Sequence, residues 1–206
     1  MSLETMQTAF VNNWPVWAVT ITLIVAAWID GKQLKVPNWI TFPMILCGWA
    51  YCFYAGTQNG MGPWTALGYS LLGTVVGLAL LLPAYMIGGM GAGDVKMQMG
   101  FGAWIGAFYG LTATEGHPGA LSVLFWAFCL AAVIGGVLAL LMIAVRGQYR
   151  RNLDNTRAIL TDLVKANGIG QVADKAAERK PRMHLLPYGI PLCLGFVSYL
   201  VWLHGM

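Results

Sequence analysis

The stretch Gly88-Gly89-Met90-Gly91-Ala92-Gly93-Asp94-Val95-Lys96 sets one acid among four glycines, directly after an apolar run from about Trp64 to Ile87. In or near a bilayer core an ionisable side chain costs about 3 kcal/mol or more, so an acid there is a functional-site candidate for which a partner must be named. Asp30, which ends the first apolar segment, is that partner. The glycines remove side-chain bulk and tolerate positive φ, so irregular backbone can sit at membrane depth where protein covers it or a wet cavity adjoins it. Such backbone can admit another peptide.

The surrounding composition decides the class. Of 206 residues, 58% are hydrophobic and 10% charged, against roughly 25% charged in soluble domains. So few charges cannot cover a soluble surface, whereas repeated apolar runs of near 20 residues match about 30 Å of hydrocarbon. The expectation is an all-α integral membrane protein forming one bundle. Cys47, Cys52, Cys129 and Cys193 all fall inside apolar runs, with no CxxC or Cys/His pair at metal-ligand spacing. They are expected to be small core hydrophobes, and no metal or other cofactor is expected. His117, His184 and His204 lie far apart at span ends and receive no role.

Six spans are expected, near 14–29, 40–55, 64–87, 96–111, 120–145 and 185–203. The first is preceded only by Glu4 and followed by Lys32 and Lys35, the reverse of a cleaved signal's charge pattern. The second opens at Val36-Pro37-Asn38, with Pro suited to a helix start and Asn to a cap. Gly73 and Gly77 on the third span, and Gly102, Gly106 and Gly110 on the fourth, have the spacing that lets helices approach closely. From Arg146 to Arg182 the chain turns polar, with nine basic residues against four acidic, so the 146–183 segment belongs outside the hydrocarbon. Within it Leu153, Ile159, Leu160, Leu163 and Val164 recur at helical spacing, as expected of an amphipathic helix on the membrane surface.

All twelve basic residues follow odd-numbered spans: two after the first, one after the third and nine after the fifth. The positive-inside rule makes that face cytoplasmic and puts both termini on the other side. Asp30 and Asp94, 64 positions apart, then end spans on the same face. Paired carboxylates in a poorly hydrated site cannot both ionise cheaply, so one proton is shared. The ionised member can take a proton from water while the protonated member donates to a substrate carbonyl, the division of labour of aspartic proteases.

Three patches carry a family resemblance. Gly91-Ala92-Gly93-Asp94 fits the GxGD pattern of intramembrane aspartyl proteases. Asp30 followed by Val36-Pro37-Asn38 resembles the first-aspartate region of type IV prepilin peptidases, and Pro187-Tyr188-Gly189 resembles the start of their last span. The resemblance implies a single membrane-embedded peptidase domain over 1–206, in the bacterial inner membrane. It would remove basic leader peptides from prepilins or pilin-like subunits on the cytoplasmic face, with Asp30 and Asp94 as the catalytic pair. The implied partners are the prepilin substrate and the lipid bilayer, with no nucleic acid. The basic face is assigned to orientation and anionic lipid rather than to leader binding.

Many family members carry a cysteine-paired insert near the first aspartate, associated with zinc and N-methylation. Here Lys32 to Asn38 runs directly into span two. The chain therefore resembles the short, peptidase-only branch found with Flp/Tad-type pili, for which methyltransferase activity is not expected. Gly91 and Gly93 support the site by shape. Lys96 either tunes the Asp94 carboxyl or anchors the fourth span; Asn38 and Tyr188 are hydrogen-bonding groups beside the pair or simply a cap and an interfacial aromatic. Other classes fit the same acids: a proton- or ion-coupled transporter using the Asp30/Asp94 pair, or a non-enzymatic assembly factor.

Overall fold

The computed structural model describes residues 13–58, 60–111, 118–146, 157, 161 and 187–204. Among them lie six α-helices: α1 Trp14–Gln33, α2 Asn38–Gln58, α3 Pro63–Met86, α4 Ala92–Leu111, α5 Ala120–Arg146 and α6 Gly189–His204. No strand occurs among the described residues. Four helices (α1, α2, α3 and α5) are long and apolar enough to cross a bilayer. This is an all-α membrane protein.

The other two helices differ for physical reasons. Helix α4 carries Asp94, Lys96 and Gln98 in its first half, and its surroundings are protein: Phe101 to Ala107 form an unbroken buried run, and α4 touches each of the other five helices. A helix enclosed in this way does not have to match lipid. Helix α6, at 16 residues, rises only about 24 Å. At the opposite extreme, only 11% of the most apolar window of α5 is buried, which makes that helix a lipid-facing wall.

Close approach of α3 and α4 depends on the glycines expected to form packing faces. A Cβ on Gly73 would collide with the backbone carbonyl of Gly102, one on Gly102 with that of Gly73, and one on Gly106 with that of Tyr69. Removing the side chains lets two backbones touch, the small-residue packing that substitutes for a hydrophobic drive inside lipid. The hydroxyls in this seam are satisfied: Ser70 Oγ donates to the Ala103 carbonyl at 2.7 Å, Thr74 Oγ1 to the Ser70 carbonyl at 2.8 Å, and Trp49 Nε1 to Thr74 Oγ1 at 3.0 Å. On the other sides of α4, Trp104 Nε1 donates to the Met44 carbonyl of α2 at 2.8 Å, and Phe101 stacks on Phe196 of α6 with ring centroids 4.0 Å apart.

Several expectations shift in detail. Helix α1 runs four residues past its expected end, placing Asp30 in its last turn rather than after it, with Lys32 favourably near the C-terminal dipole. Leu34 then closes the helix in the left-handed conformation, φ 52°, its N–H donating to the Asp30 carbonyl at 2.7 Å. At the start of α2, the amides of Ile40 and Thr41 donate to the Pro37 carbonyl, so Asn38 is the first helical residue and not the cap. Cys52, whose Sγ lies 2.7 Å from the Ala66 carbonyl, and Cys193 are buried as expected, whereas Cys47 is exposed on the face of α2 turned outward. The expected 146–183 surface helix lies outside the described residues, apart from Arg157 and Thr161. Those two are helical and exposed, with Thr161 Oγ1 donating to the Arg157 carbonyl at 2.8 Å.

Candidate active site

The end of α1, the starts of α2 and α4, and Pro187 just ahead of α6 converge at one end of the bundle. They enclose a cleft of about 430 Å³ lined by Asp30, Gln33 to Val36, Asn38, Gly91 to Asp94, Lys96 and Pro187. Asp30 is 3% exposed and Asp94 5%, so neither is a headgroup-facing loop residue. Both acids expected from the sequence line the same cleft.

The glycines explain how Asp94 gets there. Helix α4 begins at Ala92, earlier than the expected Lys96, so the GxGD segment is a helix N-terminus and not an irregular loop. Asp94 is the third helical residue, and its Oδ2 accepts the N–H of Gly91 at 3.0 Å, as in the acidic half of a capping box. The helix N-terminus adds a favourable dipole for that carboxylate. Capping and chemistry thus use the same side chain, and the cap fixes where one of its oxygens points. Gly93 acts by proximity: a Cβ there would lie 2.9 to 3.0 Å from the O, N and Cβ of Val36, so only glycine lets α4 press on the α1–α2 turn that follows Asp30. Positive φ within the stretch is confined to Gly88, at 79°, where the chain leaves α3.

Asp30 is held from the other side. Its Oδ2 accepts the backbone N–H of Gly189 at 2.9 Å, linking the end of α1 to the start of α6 across 159 positions. A Cβ on Gly189 would lie 2.8 Å from that oxygen and 3.1 Å from Cγ, so this position has to be glycine for the carboxyl to reach the amide. Within Pro187-Tyr188-Gly189, where Tyr188 is the expected hydrogen-bonding group, it is the glycine that contacts Asp30 directly. Tyr188 itself is partly buried and packs against the hydrophobic core.

Lys96 and Asn38 are partners. Lys96 Nζ donates to Asn38 Oδ1 at 2.9 Å and sits 4.9 Å from the centre of the Phe42 ring, which ties the first turns of α4 and α2 together beside the cleft. The side chain expected to cap α2 is instead the acceptor that holds the lysine. Gln98 had no place in the sequence reading. It is fully buried one turn beyond Asp94, and the signal was a lone amide beyond Asp94 and Lys96 in a glycine-marked helix that is largely apolar from Met99 onward. No group of three or more His, Cys, Asp or Glu side chains suited to a metal occurs among the described residues.

Neither a curated protein nor a solved structure matches the chain. The model of the Type IV leader peptidase family, however, matches residues 17–170, well over half of the sequence, and takes in both aspartates while stopping short of Pro187. With that match added to two acids in one cleft at the end of a membrane bundle, the chain belongs to the type IV leader peptidase family and is a multi-pass membrane peptidase.

Proposed function

We propose that the protein is an aspartyl endopeptidase that cleaves the leader from type IV prepilin or pilin-like precursors at the cytoplasmic face of the bacterial inner membrane. Asp30 and Asp94 are its catalytic pair. The observation that carries this reading is the convergence of two buried carboxyls, from α1 and α4, on one cleft, each with an oxygen held by a backbone N–H. Backbone donors hold the carboxyls without side-chain entropy and keep their geometry through a proton transfer. The cleft is within the usual range for a binding site, roughly 300–1,000 Å³.

In the proposed cycle the pair carries one proton. A water between the carboxyls loses a proton to the ionised one as its oxygen bonds to the scissile carbonyl carbon, and the protonated one gives its proton to the carbonyl oxygen. The tetrahedral intermediate then collapses: the C–N bond breaks, the proton taken from water passes from its carboxyl to the leaving amine, and a hydroxyl proton of the intermediate moves to the other carboxylate, so the pair regains its single shared proton. No nucleophilic side chain is required. The substrate's apolar helix lies in the bilayer beside the bundle while its leader remains in the aqueous phase. Lys35 and Lys96 on the cleft rim set two positive charges against the single negative charge of a pair that shares one proton, which leaves no anionic surface there for a basic leader. The leader is therefore recognised by position rather than by charge.

Purified protein incubated in detergent or liposomes with a purified prepilin is expected to produce a faster-migrating species whose new N-terminus lies at the leader boundary. A folded preparation that leaves the prepilin intact under all conditions would return the transporter and assembly-factor readings.

A further inference from the structure

Gln98 differs from the bundle's buried hydroxyls and from Asp30. Thr41, Ser70, Thr74 and Asp30 are buried polar side chains with hydrogen-bond partners, but neither the amide nitrogen nor the amide oxygen of Gln98 has one among the described residues, although the residue is 0% exposed. An amide left unsatisfied in an apolar interior destabilises the fold, and such a group in a native protein calls for an explanation. Its position supplies one. Gln98 is four residues after Asp94, on the same stripe of α4, and helical side chains lean toward the N-terminus, so position 98 covers the turn that carries Asp94. Three residues further on, Phe101 stacks on Phe196 and closes the bundle beneath. The amide thus lies between the acid and an apolar seal, and does not itself line the cleft.

We propose that Gln98 is the positioning residue for Asp94, engaging its carboxyl from beneath, directly or through one water, as substrate is turned over. The inference rests on the aspartyl-peptidase reading of the cleft. An amide suits the task because it offers both a donor and an acceptor. It donates to Asp94 when the carboxyl is ionised and accepts from it when protonated, and Asp94 passes between those forms within a single cycle. A carboxylate or an ammonium at position 98 could serve only one of them.

The test compares Gln98→Met, close in size and apolar, with wild type in two measurements on the full-length protein: thermal unfolding in detergent, and kcat and KM on a purified prepilin. The proposal expects Gln98→Met to unfold at a higher temperature, because the unsatisfied amide is gone, and to lose roughly ten- to hundredfold in kcat, the loss expected of one hydrogen bond to a charged group. KM should stay unchanged, since the residue is outside the cleft. Gln98→Asn, which keeps the amide but falls one methylene short, should lose kcat in the same way. A more stable Met variant with wild-type kcat would overturn the proposal. So would a Met variant that fails to fold, which would show that the fold itself holds the amide at rest. Asp94→Asn run alongside separates the two claims: if it still cleaves, the reading of the cleft fails, and if it is dead while Gln98→Met is fully active, only the role of Gln98 fails.

Discussion

The N–H of Gly189 and the carboxyl of Asp30 meet at 2.9 Å, and the sharpest single-residue consequence concerns the atom glycine lacks. Gly189→Ala would put a Cβ 2.8 Å from Asp30 Oδ2. The acid must then rotate away and lose its backbone donor, while α6 has no reason to unfold. Cleavage should fall by roughly ten- to hundredfold, as for loss of a charge-assisted hydrogen bond, with helix content by circular dichroism unchanged; near-normal cleavage would mean that the contact is incidental. Lys96 gives the opposite expectation. Its ammonium is already occupied by Asn38 and the Phe42 ring, so it ties two helices together. Lys96→Met should reduce cleavage by less than about tenfold, in keeping with the small worth of exposed charge contacts, and Asn38→Ala should mimic it. A severe loss from Lys96→Met alone would assign the lysine to the chemistry.

Among the elements, the α3–α4 seam can be probed with glycines that look alike in sequence and differ in surroundings. Gly102→Ala drives a Cβ into the Gly73 carbonyl, whereas nothing lies within 4 Å of a Cβ on Gly68 or Gly136. The first should destabilise the bundle by about 1–3 kcal/mol, the cost of overpacking. Gly68→Ala and Gly136→Ala should be neutral or stabilise by up to about 1 kcal/mol, because alanine favours the helix. Melting temperatures in detergent, ranked across the three variants, check this, and equal shifts would contradict the seam. Spacing alone had marked Gly73, Gly77, Gly102, Gly106 and Gly110, because four-residue recurrence survives any choice of neighbour. It could not say where α4 begins, since Gly-Ala-Gly-Asp reads equally well as loop or as capped N-terminus. The hydrogen bond from Gly91 to Asp94 decides that.

At the scale of the whole molecule, charge asymmetry carries the orientation. A reporter fused after Met206 should behave as external and one inserted near Asp154 as cytoplasmic, because all twelve basic residues follow odd-numbered spans. The reverse pattern would put the cleft on the wrong side for a leader peptide. That Asp30 and Asp94 share one end of the bundle was legible for a simple reason: between them the chain crosses twice, through α2 and α3, and an even number of crossings returns it to the same face. What holds them was not legible. Gly189 reaches Asp30 only through the packing of α6 on α1, and Gln98 is buried only because other helices pack around α4, facts of tertiary packing that no local pattern encodes. The account as a whole stands on the two carboxyls acting as a unit, and cleavage of a purified prepilin by Asp30→Asn, Asp94→Asn and the double variant tests it most directly. Asn keeps size and some hydrogen bonding but cannot share the proton, so each single change should abolish cleavage in a folded, membrane-inserted protein. The double change should then be hardly worse than either alone, since residues that act as a unit give non-additive losses. Near-normal cleavage by either single variant, with contaminating peptidase excluded, would contradict the aspartyl mechanism.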